Sequence, residues 1–332
     1  MALDERADRD LLAPSNAYNQ RLSHAGTRKR AQPGILAQLW RERLLIILVL
    51  PGLLFYLLFY YIPLLGNIIA FQNYQPYLGF FHSRFVGLMN FVSMFHSQAF
   101  YYALRNTIEI TMLQLLLYFP APIALAITLY SVINKFVRRL IQSVVYLPHF
   151  ISWVIVVIIW QEIFGGAGFL DQFLRLHGIA NPLDIMSDPA LFKFLVTAQV
   201  IWKEAGWGTI IFLAALASID LTLYEAAAVD GANAFRRLLH VTIPGILPII
   251  VILLILRLGT TLSVGFEQIL LQQDAVGARA GEVLDTFVYY HGIIDGNWGM
   301  SAAVGMMKGI VGFLLVVGTN WLAHRLGQEG VM

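Results

Sequence analysis

Long apolar runs alternate with shorter polar segments along the chain, and this alternation predicts an all-α protein that crosses a membrane. Residues 44–62 form an uncharged run of 19 residues, which is enough for one helix to cross a hydrocarbon core about 30 Å thick. Five further apolar runs follow. The predicted transmembrane helices cover residues 44–62, 106–130, 141–164, 191–217, 246–271 and 299–322.

Pro120 and Pro122 lie inside the second predicted helix, and Pro148 lies inside the third. Proline lacks an N–H donor, and its ring crowds the preceding turn of a helix. Membrane helices tolerate this where neighbouring groups satisfy the freed carbonyls. We therefore expect kinks at these positions and not helix ends.

The segments outside the apolar runs differ in composition. Residues 1–35 carry many charges and few aromatic side chains, which is typical of a disordered tail. Residues 63–105 are too broken to span a membrane, and we predict an interfacial cap with an amphipathic piece at 85–95. The membrane domain is predicted to cover residues 36–325, including a polar loop at 218–245, and a short tail follows at 326–332.

Composition and charge support this topology. The chain has 58% hydrophobic and 13% charged residues, whereas soluble domains carry about 25% charged residues. It has no Cys, which excludes disulfides, thiol catalysis and thiolate metal sites. Of its 22 Lys and Arg residues, 14 fall on the side of the two termini and four on the opposite side. Because basic residues collect on the cytoplasmic side, both termini are predicted to be cytoplasmic.

The polar loop contains a regularly spaced stretch, residues 225–244, which reads EAAAVDGANAFRRLLHVTIP. Asp220, just before it, can cap a helix that begins at Leu221. The alanines that follow favour helix at a low cost in side-chain entropy. Gly231 then permits a sharp break, because glycine adopts a positive φ without penalty.

A second short helix is predicted over residues 232–240, carrying Arg236 and Arg237. We expect Pro244 to stop or bend the chain after it. Two short helices with a surface of small residues form a knob that suits a groove in a partner. The alternative is an ordinary basic loop between membrane spans.

The spacing of this stretch resembles the EAA loop, the cytoplasmic coupling loop of permease subunits in binding-protein-dependent ABC importers. That family has Glu-Ala-Ala, three residues, Gly, nine residues and Ile-x-Leu-Pro, and here Val241 and Ile243 replace the Ile and the Leu. The resemblance implies that the loop couples the membrane domain to a separate ATPase. The residues that it assigns to coupling are Glu225, Ala226, Ala227, Asp230, Gly231, Ala232, Arg236 and Pro244.

Further blocks resemble one branch of this family. They read YLPHFISW at 146–153, IWKEAGWG at 201–208, SVGFEQ at 263–268 and LGQEG at 326–330. Together they are similar to the LplB-like branch of carbohydrate-importer permeases, which includes the first permease subunit of alginate importers. The resemblance implies the six-helix fold of type I ABC importer permeases in a bacterial inner membrane.

The resemblance also implies the partners: a second permease subunit, two ATP-binding subunits, an extracytoplasmic solute-binding protein and an oligosaccharide cargo. No lysine of this chain precedes a Ser or Thr, so it lacks the Gly-Lys-Ser/Thr of a P-loop. We therefore expect no enzyme activity, metal or cofactor here, with ATP and Mg²⁺ bound by the partner ATPases. The cargo stays open between alginate-type acidic oligosaccharides and neutral glycans.

Several side chains inside the predicted spans are candidates for the substrate pathway. A charge at the centre of a membrane helix costs about 2.5–3.5 kcal/mol, so such residues should face the bundle or a wet cavity. A tryptophan there can stack on a sugar ring, and carboxylate or amide groups can bind hydroxyls. The candidates are Trp207, Lys203, Glu204, Glu267, Gln268 and His149.

Packing is the alternative role for each of them. Lys203 or Arg257 could form an interhelical ion pair with Glu267, and His149 could satisfy the kink at the neighbouring proline. Lys308 has two possible roles, which the sequence does not rank: it could neutralise an acidic sugar, or it could pair with a carboxylate within the bundle.

Two other classes of function compete with the importer permease. An ion-coupled secondary sugar transporter is compatible with six spans and intramembrane charges, but such folds commonly carry inverted repeats, and no convincing repeat is evident. A membrane enzyme for lipid-linked sugars would need clustered carboxylates at the interface, and none stand out. The sequence therefore favours the permease.

Overall fold

The structure, a computed structural model, describes residues 43–179 and 184–325 together with Gly327. The predicted disordered tail at 1–35 and nearly all of the predicted tail at 326–332 lie outside these residues. The described chain forms two units, one that ends at Leu65 and a second that begins at Gly66.

Within the described residues, six helical segments are long and apolar enough to cross a membrane, which confirms the predicted six-span, all-α class. They are Arg43–Phe71, Gln98–Ser131, Trp153–Leu176, Phe192–Ala217, Ala234–Gly259 and Trp298–Arg325, called the first to sixth spans below.

The first unit is the greater part of the first span. It consists of the α-helix Arg43–Tyr56, a π-helical turn Leu57–Tyr61 and the short helix Ile62–Leu64. None of these residues is buried, and their apolar side chains suit a hydrocarbon environment.

The second unit opens with a compact segment between the first and second spans. A 3₁₀ helix, Leu65–Phe71, leads into an antiparallel pair of two-residue strands, Gln72–Asn73 and Arg84–Phe85. The helices Gly79–His82 and Met89–His96 complete it. The side-chain amide of Asn90 donates to the carbonyls of Ala70 and Gln72, each at 2.9 Å, and so ties the last helix to the strand. This segment occupies the region for which an interfacial cap was predicted.

The second span is longer than predicted and stays helical through its prolines. It comprises the α-helix Gln98–Leu113, a π-helical turn Gln114–Tyr118 and the α-helix Pro120–Ser131. The Ser97 hydroxyl caps its start by accepting from the Phe100 N–H at 3.3 Å.

The π-helical turns have a common cause in three spans, because each ends two residues before a proline. The turns Leu57–Tyr61, Gln114–Tyr118 and Leu238–Thr242 precede Pro63, Pro120 and Pro244 respectively. A proline ring clashes with the carbonyl four residues earlier and leaves it without a donor. A wider turn relieves that clash while the helix continues.

The prediction for the third span was wrong at its start. Residues 141–164 were expected to form one helix, but Lys135–Tyr146 is a separate amphipathic helix, followed by a 3₁₀ turn Leu147–Phe150. The α-helix resumes at Trp153–Phe164, and a further helix, Phe169–Leu176, follows. No π turn precedes Pro148, and the chain is extended at Ile151 and Ser152.

The fourth span is a single α-helix, Phe192–Ala217. After the polar loop, the α-helix Ile243–Gly259 ends twelve residues before the predicted end at residue 271. Hydroxyl groups then compete for the last helical carbonyls: the Thr261 Oγ1 donates to the Leu258 carbonyl at 2.6 Å. This competition favours a turn over continued helix.

Short helices connect the fifth span to the sixth. They are Phe266–Leu270, Gln273–Val276, Ala278–Gly281, Leu284–Phe287 and the π-helical Val288–Ile294. The sixth span, Trp298–Arg325, is a single α-helix.

Three apolar clusters hold the second unit together. One joins the second and sixth spans to helix Leu284–Phe287 around Phe100, Phe287 and Val304. Another joins the second, fourth and fifth spans; it contains Ala126, Phe212, Leu216 and Ile246. The third lies between the second and fourth spans and the connecting helices; it contains Ile110, Phe192, Val196, Val264, Ile269 and Val283.

Glycines allow close backbone approach between these helices. A Cβ on Gly312 would lie 2.7 Å from the carbonyl oxygen of Gly259, so the fifth and sixth spans meet at their backbones. A Cβ on Gly206 would collide with the backbone carbonyl of Val145 in the amphipathic helix. Small residues at such crossings are how membrane helices gain packing energy.

The contact at Gly206 generates a stability prediction. Gly206→Ala should lower the free energy of unfolding by about 1–3 kcal/mol, because the added methyl group must displace the Val145 backbone. Gly305→Ala is the matched control: its Cβ would meet nothing within 4 Å, so alanine should be neutral or stabilise by up to about 1 kcal/mol. Unfolding in detergent measures both, and equal effects would contradict the prediction.

Candidate functional site

The polar loop begins with the capped helix Leu221–Val229, called the coupling helix here. As predicted, Asp220 caps it: the carboxylate accepts from the Thr222 N–H at 2.9 Å. This backbone hydrogen bond lowers the pKa of Asp220 below its ordinary value, because it favours the charged form. The carboxylate also interacts favourably with the positive end of the helix dipole.

Gly231 ends the coupling helix with a Schellman turn. Its φ is +73°, which glycine adopts without the strain that a Cβ would cause. The Ala232 N–H donates to the Ala227 carbonyl at 2.9 Å, and the Gly231 N–H to the Ala228 carbonyl at 3.1 Å. These two bonds satisfy the last helical carbonyls, with Asp230 as the C-cap residue.

The second part of the loop differs from the prediction. The helix starts at Ala234 instead of residue 232, capped by Asn233, whose side chain accepts from the Arg236 N–H at 2.9 Å. It does not stop at Pro244, because the π-helical turn before that proline carries it into the fifth span.

The assigned coupling residues lie mostly on the surface. Glu225, Ala226, Asp230, Gly231, Arg236 and Pro244 are exposed, and Ala227 and Ala232 are partly buried. Large apolar side chains are exposed beside them: Leu221, Leu223, Val229 and Phe235. A helix with such a surface has the composition of a docking element. The role of these residues in coupling remains a prediction.

The coupling helix is fastened to the membrane spans beneath it. The hydroxyl groups of Tyr224 and Thr242 lie 3.0 Å apart and join it to the start of the fifth span. A cavity of about 460 Å³ lies beside this contact. Its walls come from the loop and from the ends of the second and fourth spans; they include Ile127, Tyr130, Leu216, Tyr224, Phe235 and Leu238.

Four of the six pathway candidates form one cluster where the break in the third span meets the fourth span. Lys203 is buried, and its ammonium group donates to the His149 carbonyl at 2.7 Å. The same group lies 3.0 Å from Oε1 of Glu204, and Oε2 of Glu204 lies 2.7 Å from Nδ1 of His149. The carbonyl that Lys203 binds lies in the 3₁₀ turn around Pro148.

Trp207 adds an aromatic face to this cluster. Its ring stacks on the His149 ring with centroids 4.4 Å apart and planes 4° from parallel. Phe150 packs edge-on against it at 5.8 Å. Trp207 is nevertheless 46% exposed, so one part of its ring is free to contact a further group.

The remaining two candidates lie elsewhere. Gln268 is fully buried and donates to the Val196 carbonyl at 2.9 Å and to the Gln199 side chain at 2.7 Å. Gln272 bonds the same Gln199 side chain, so three glutamines join the fourth span to the connecting helices. Gln268 therefore cannot contact cargo in this conformation, whereas Glu267 is exposed.

The alternative in which Lys203 or Arg257 forms an ion pair with Glu267 is not found among the described residues. Lys203 pairs with Glu204, and Arg257 donates to the neutral side chain of Gln114. Lys308, for which two roles were open, pairs with Asp285.

The sequence reasoning missed the pair between Glu109 and Lys193, which joins the second and fourth spans. A carboxylate inside an apolar run was the available signal for it. Glu282 was also missed. Burial raises the pKa of this carboxyl group in the segment before the sixth span. Among the residues that the structure describes, no group of three or more His, Cys, Asp or Glu could hold a metal ion.

Comparisons with known proteins agree with this architecture. The family described as "Binding-protein-dependent transport system inner membrane component" matches residues 119–328. The chain is 43% identical over 296 residues to Protein LplB of Bacillus subtilis (strain 168), covering 89% of this chain and 93% of that protein. It is 40% identical over 305 residues to the polygalacturonan/rhamnogalacturonan transport system permease protein YteP of the same organism. This match covers 92% of this chain and 95% of that protein.

Solved structures also match. The crystal structure of a bacterial alginate ABC transporter, in complex with an alginate pentasaccharide-bound periplasmic protein, contains a chain that superposes with a TM-score of 0.81 at 34% identity. The match covers 90% of this chain and 99% of that one. A second structure, of a bacterial ABC transporter involved in the import of the acidic polysaccharide alginate, gives the same TM-score and identity.

The polar cluster generates a prediction about stability. Lys203→Met should lower the free energy of unfolding by about 1–3 kcal/mol, because the bond to the His149 carbonyl is lost and Glu204 loses its cation. The double variant Lys203→Met/Glu204→Gln should recover part of this loss, since it no longer leaves an unpaired charge. Unfolding in detergent measures the cycle, and additive effects would show that the two side chains are not coupled.

Proposed function

This chain belongs to the family of binding-protein-dependent transport system inner membrane components, and on that premise we propose that it forms half of the translocation pathway for an acidic oligosaccharide. The chain is a permease subunit of a sugar-importing ABC transporter, and we infer that ATP hydrolysis takes place in partner subunits. The observation that carries the proposal is the exposed, capped coupling helix, fastened to the spans at Tyr224 and Thr242.

The printed descriptions of the relatives favour a cargo that carries carboxylates. One relative transports polygalacturonan or rhamnogalacturonan, and the matched structures belong to an importer of the acidic polysaccharide alginate. A more distant relative, 32% identical, transports arabinooligosaccharides, which are neutral. The greater similarity to the permeases for acidic polymers supports an acidic oligosaccharide.

We infer that this chain pairs with a second permease and that two partner ATPases supply the energy. A solute-binding protein would deliver the cargo, as the periplasmic protein with its bound pentasaccharide suggests for the alginate importer. ATP and Mg²⁺ would bind to the ATPases, and this chain would contribute no cofactor.

The coupling helix would act as the handle that an ATPase moves. Its exposed Leu221 and Val229, together with Phe235 of the following helix, would enter a groove of the partner, where burial of apolar surface stabilises the contact. A displacement would pass through the contact between Tyr224 and Thr242 to the fifth span. The apolar cluster around Leu216 would carry it to the second and fourth spans.

The cluster around Trp207 is the part of the described structure that best suits the sugar path. Trp207, Glu204 and His149 are each partly exposed, which leaves an aromatic face and polar groups for a sugar ring. Lys203 is buried beneath them and holds the cluster in place. Its role would be positioning.

A substitution in the coupling loop tests the handle. Gly231→Asp should abolish ATP-driven uptake and release the ATPase from the purified complex, because a side chain at φ +73° distorts the Schellman turn. Glu225→Lys, which reverses an exposed charge on the same helix, should do the same. Uptake into proteoliposomes and co-purification of the ATPase measure the effect.

Gly296→Asp is the matched control for this test. Gly296 has the same φ of +73° and equally open surroundings but lies before the sixth span, outside the coupling loop. Its substitution should leave the ATPase bound. Normal uptake by the Gly231 and Glu225 variants would contradict the coupling role.

The proposed orientation places both termini in the cytoplasm and is testable because the chain has no Cys. Ile133 and Phe81 are 97% and 96% exposed, and the proposal assigns them to opposite sides of the membrane. A membrane-impermeant maleimide added to intact spheroplasts should label Phe81→Cys but reach Ile133→Cys only after permeabilisation. The reverse pattern would invert the topology.

A further inference from the structure

Among the residues that the structure describes, basic side chains in the interior of the bundle are, with one exception, neutralised by a carboxylate of the same chain. Lys193 pairs with Glu109, Lys203 with Glu204 and Lys308 with Asp285. Arg257 is the exception within the described part of the chain, because its guanidinium group forms no ion pair there. It donates instead to the neutral side chain of Gln114.

The local backbone builds a cradle for this arginine. Gln114 and Tyr118 are the first and last residues of the π-helical turn that precedes Pro120, near the middle of the 34-residue second span. The Arg257 guanidinium carbon lies 5.6 Å from the centroid of the Tyr118 ring, so the ring face supports the cation. A wide turn imposed by a proline thus positions an amide and an aromatic ring toward the fifth span.

The cradle packs against the helix that carries the cluster assigned to the sugar path. The π-helical turn with Gln114 and Tyr118 contacts the fourth span, and Glu204 and Trp207 lie on that same span. Arg257 itself is partly exposed, and an unneutralised charge at this depth is stable only where it faces water or an anion.

We propose that Arg257 determines the specificity of the permease for acidic sugars by receiving a carboxylate of the cargo as it passes. This inference rests on the proposed function, since it assumes a cargo that bears carboxylates. The Nη2 group donates one of its two N–H bonds to Gln114, so its second N–H remains available, together with that of Nε or Nη1, for a carboxylate. A guanidinium fork matches a carboxylate in geometry and charge.

The neutral side chain of Gln114 suits a site that binds the cargo carboxylate only briefly. A resident carboxylate would neutralise Arg257, as Asp285 neutralises Lys308. It would then compete with the carboxylate of the cargo for the guanidinium group. An amide and a ring face orient the guanidinium group without cancelling its charge. The cargo can therefore bind and leave, which a pathway requires.

The test uses the complete importer in proteoliposomes, with this chain, its second permease, the ATPases and the binding protein. The probe is a tetrameric oligogalacturonate, supplied at saturation of the binding protein. Arg257→Gln should reduce the initial rate of uptake about tenfold or more, because the carboxylate then meets no cation. Arg257→Lys keeps the charge but loses the fork. Its initial rate of uptake should lie between that of Arg257→Gln and that of the wild type.

Two controls separate a role in recognition from a role in assembly. ATP hydrolysis without sugar should stay within about twofold of wild type in both Arg257 variants, since the coupling helix is unchanged. The double variant Lys308→Gln/Asp285→Asn removes a paired cation and should keep most of the uptake.

Two results would overturn the inference. One is uptake of the oligogalacturonate by Arg257→Gln at the wild-type rate. The other is loss of the assembled complex in both Arg257 variants, which would indicate an ion pair with the second permease instead of the cargo. A wild-type importer that takes up neutral oligosaccharides but no oligouronate would instead contradict the acidic cargo of the proposed function.

Discussion

The structure depends on one constraint: inside a membrane, every backbone polar group needs a partner within the protein. Proline makes this requirement harder to meet, because it has no backbone N–H to donate and its ring clashes with the carbonyl four residues earlier. Where a π-helical turn precedes the proline, as at Pro120 and Pro244, the helix continues. Pro51 and Pro248 lie inside continuous α-helix, whereas at Pro148 the helix breaks into a 3₁₀ turn. The carbonyl of His149 in that turn then takes the Lys203 ammonium group as its donor.

The proposed function uses both outcomes. The wide turn before Pro120 presents Gln114 and Tyr118 to Arg257, and the break at Pro148 exposes the stacked His149 ring beside Trp207. The wide turn before Pro244 carries the coupling loop into the fifth span without a flexible joint. Beyond the turn at Gly231, the chain is therefore continuous helix from Ala234 into the fifth span.

Charge pairing divides the intramembrane polar residues by role. Lys193 joins the fourth span to the second through Glu109, Lys308 joins the sixth span to the helix Leu284–Phe287 through Asp285, and Lys203 pairs with Glu204 on its own helix. In each pair the mutual attraction offsets part of the desolvation cost. Arg257 has a neutral partner in the described structure, so its charge remains available. Buried amides serve a third purpose, since Gln199, Gln268 and Gln272 hold the connecting helices to the fourth span without any charge.

The sequence by itself determined the number of spans, the cap at Asp220 and the break at Gly231, because apolar run length, capping chemistry and glycine φ are local properties. It could not place the end of the fifth span or the start of the third, where hydroxyl groups and an amphipathic helix override an apolar run. It also could not find the partners of Lys203, Arg257 and Lys308. Those pairings join residues from different helices or depend on the rotation of a helix, and only the tertiary structure brings the groups within a few ångströms of one another.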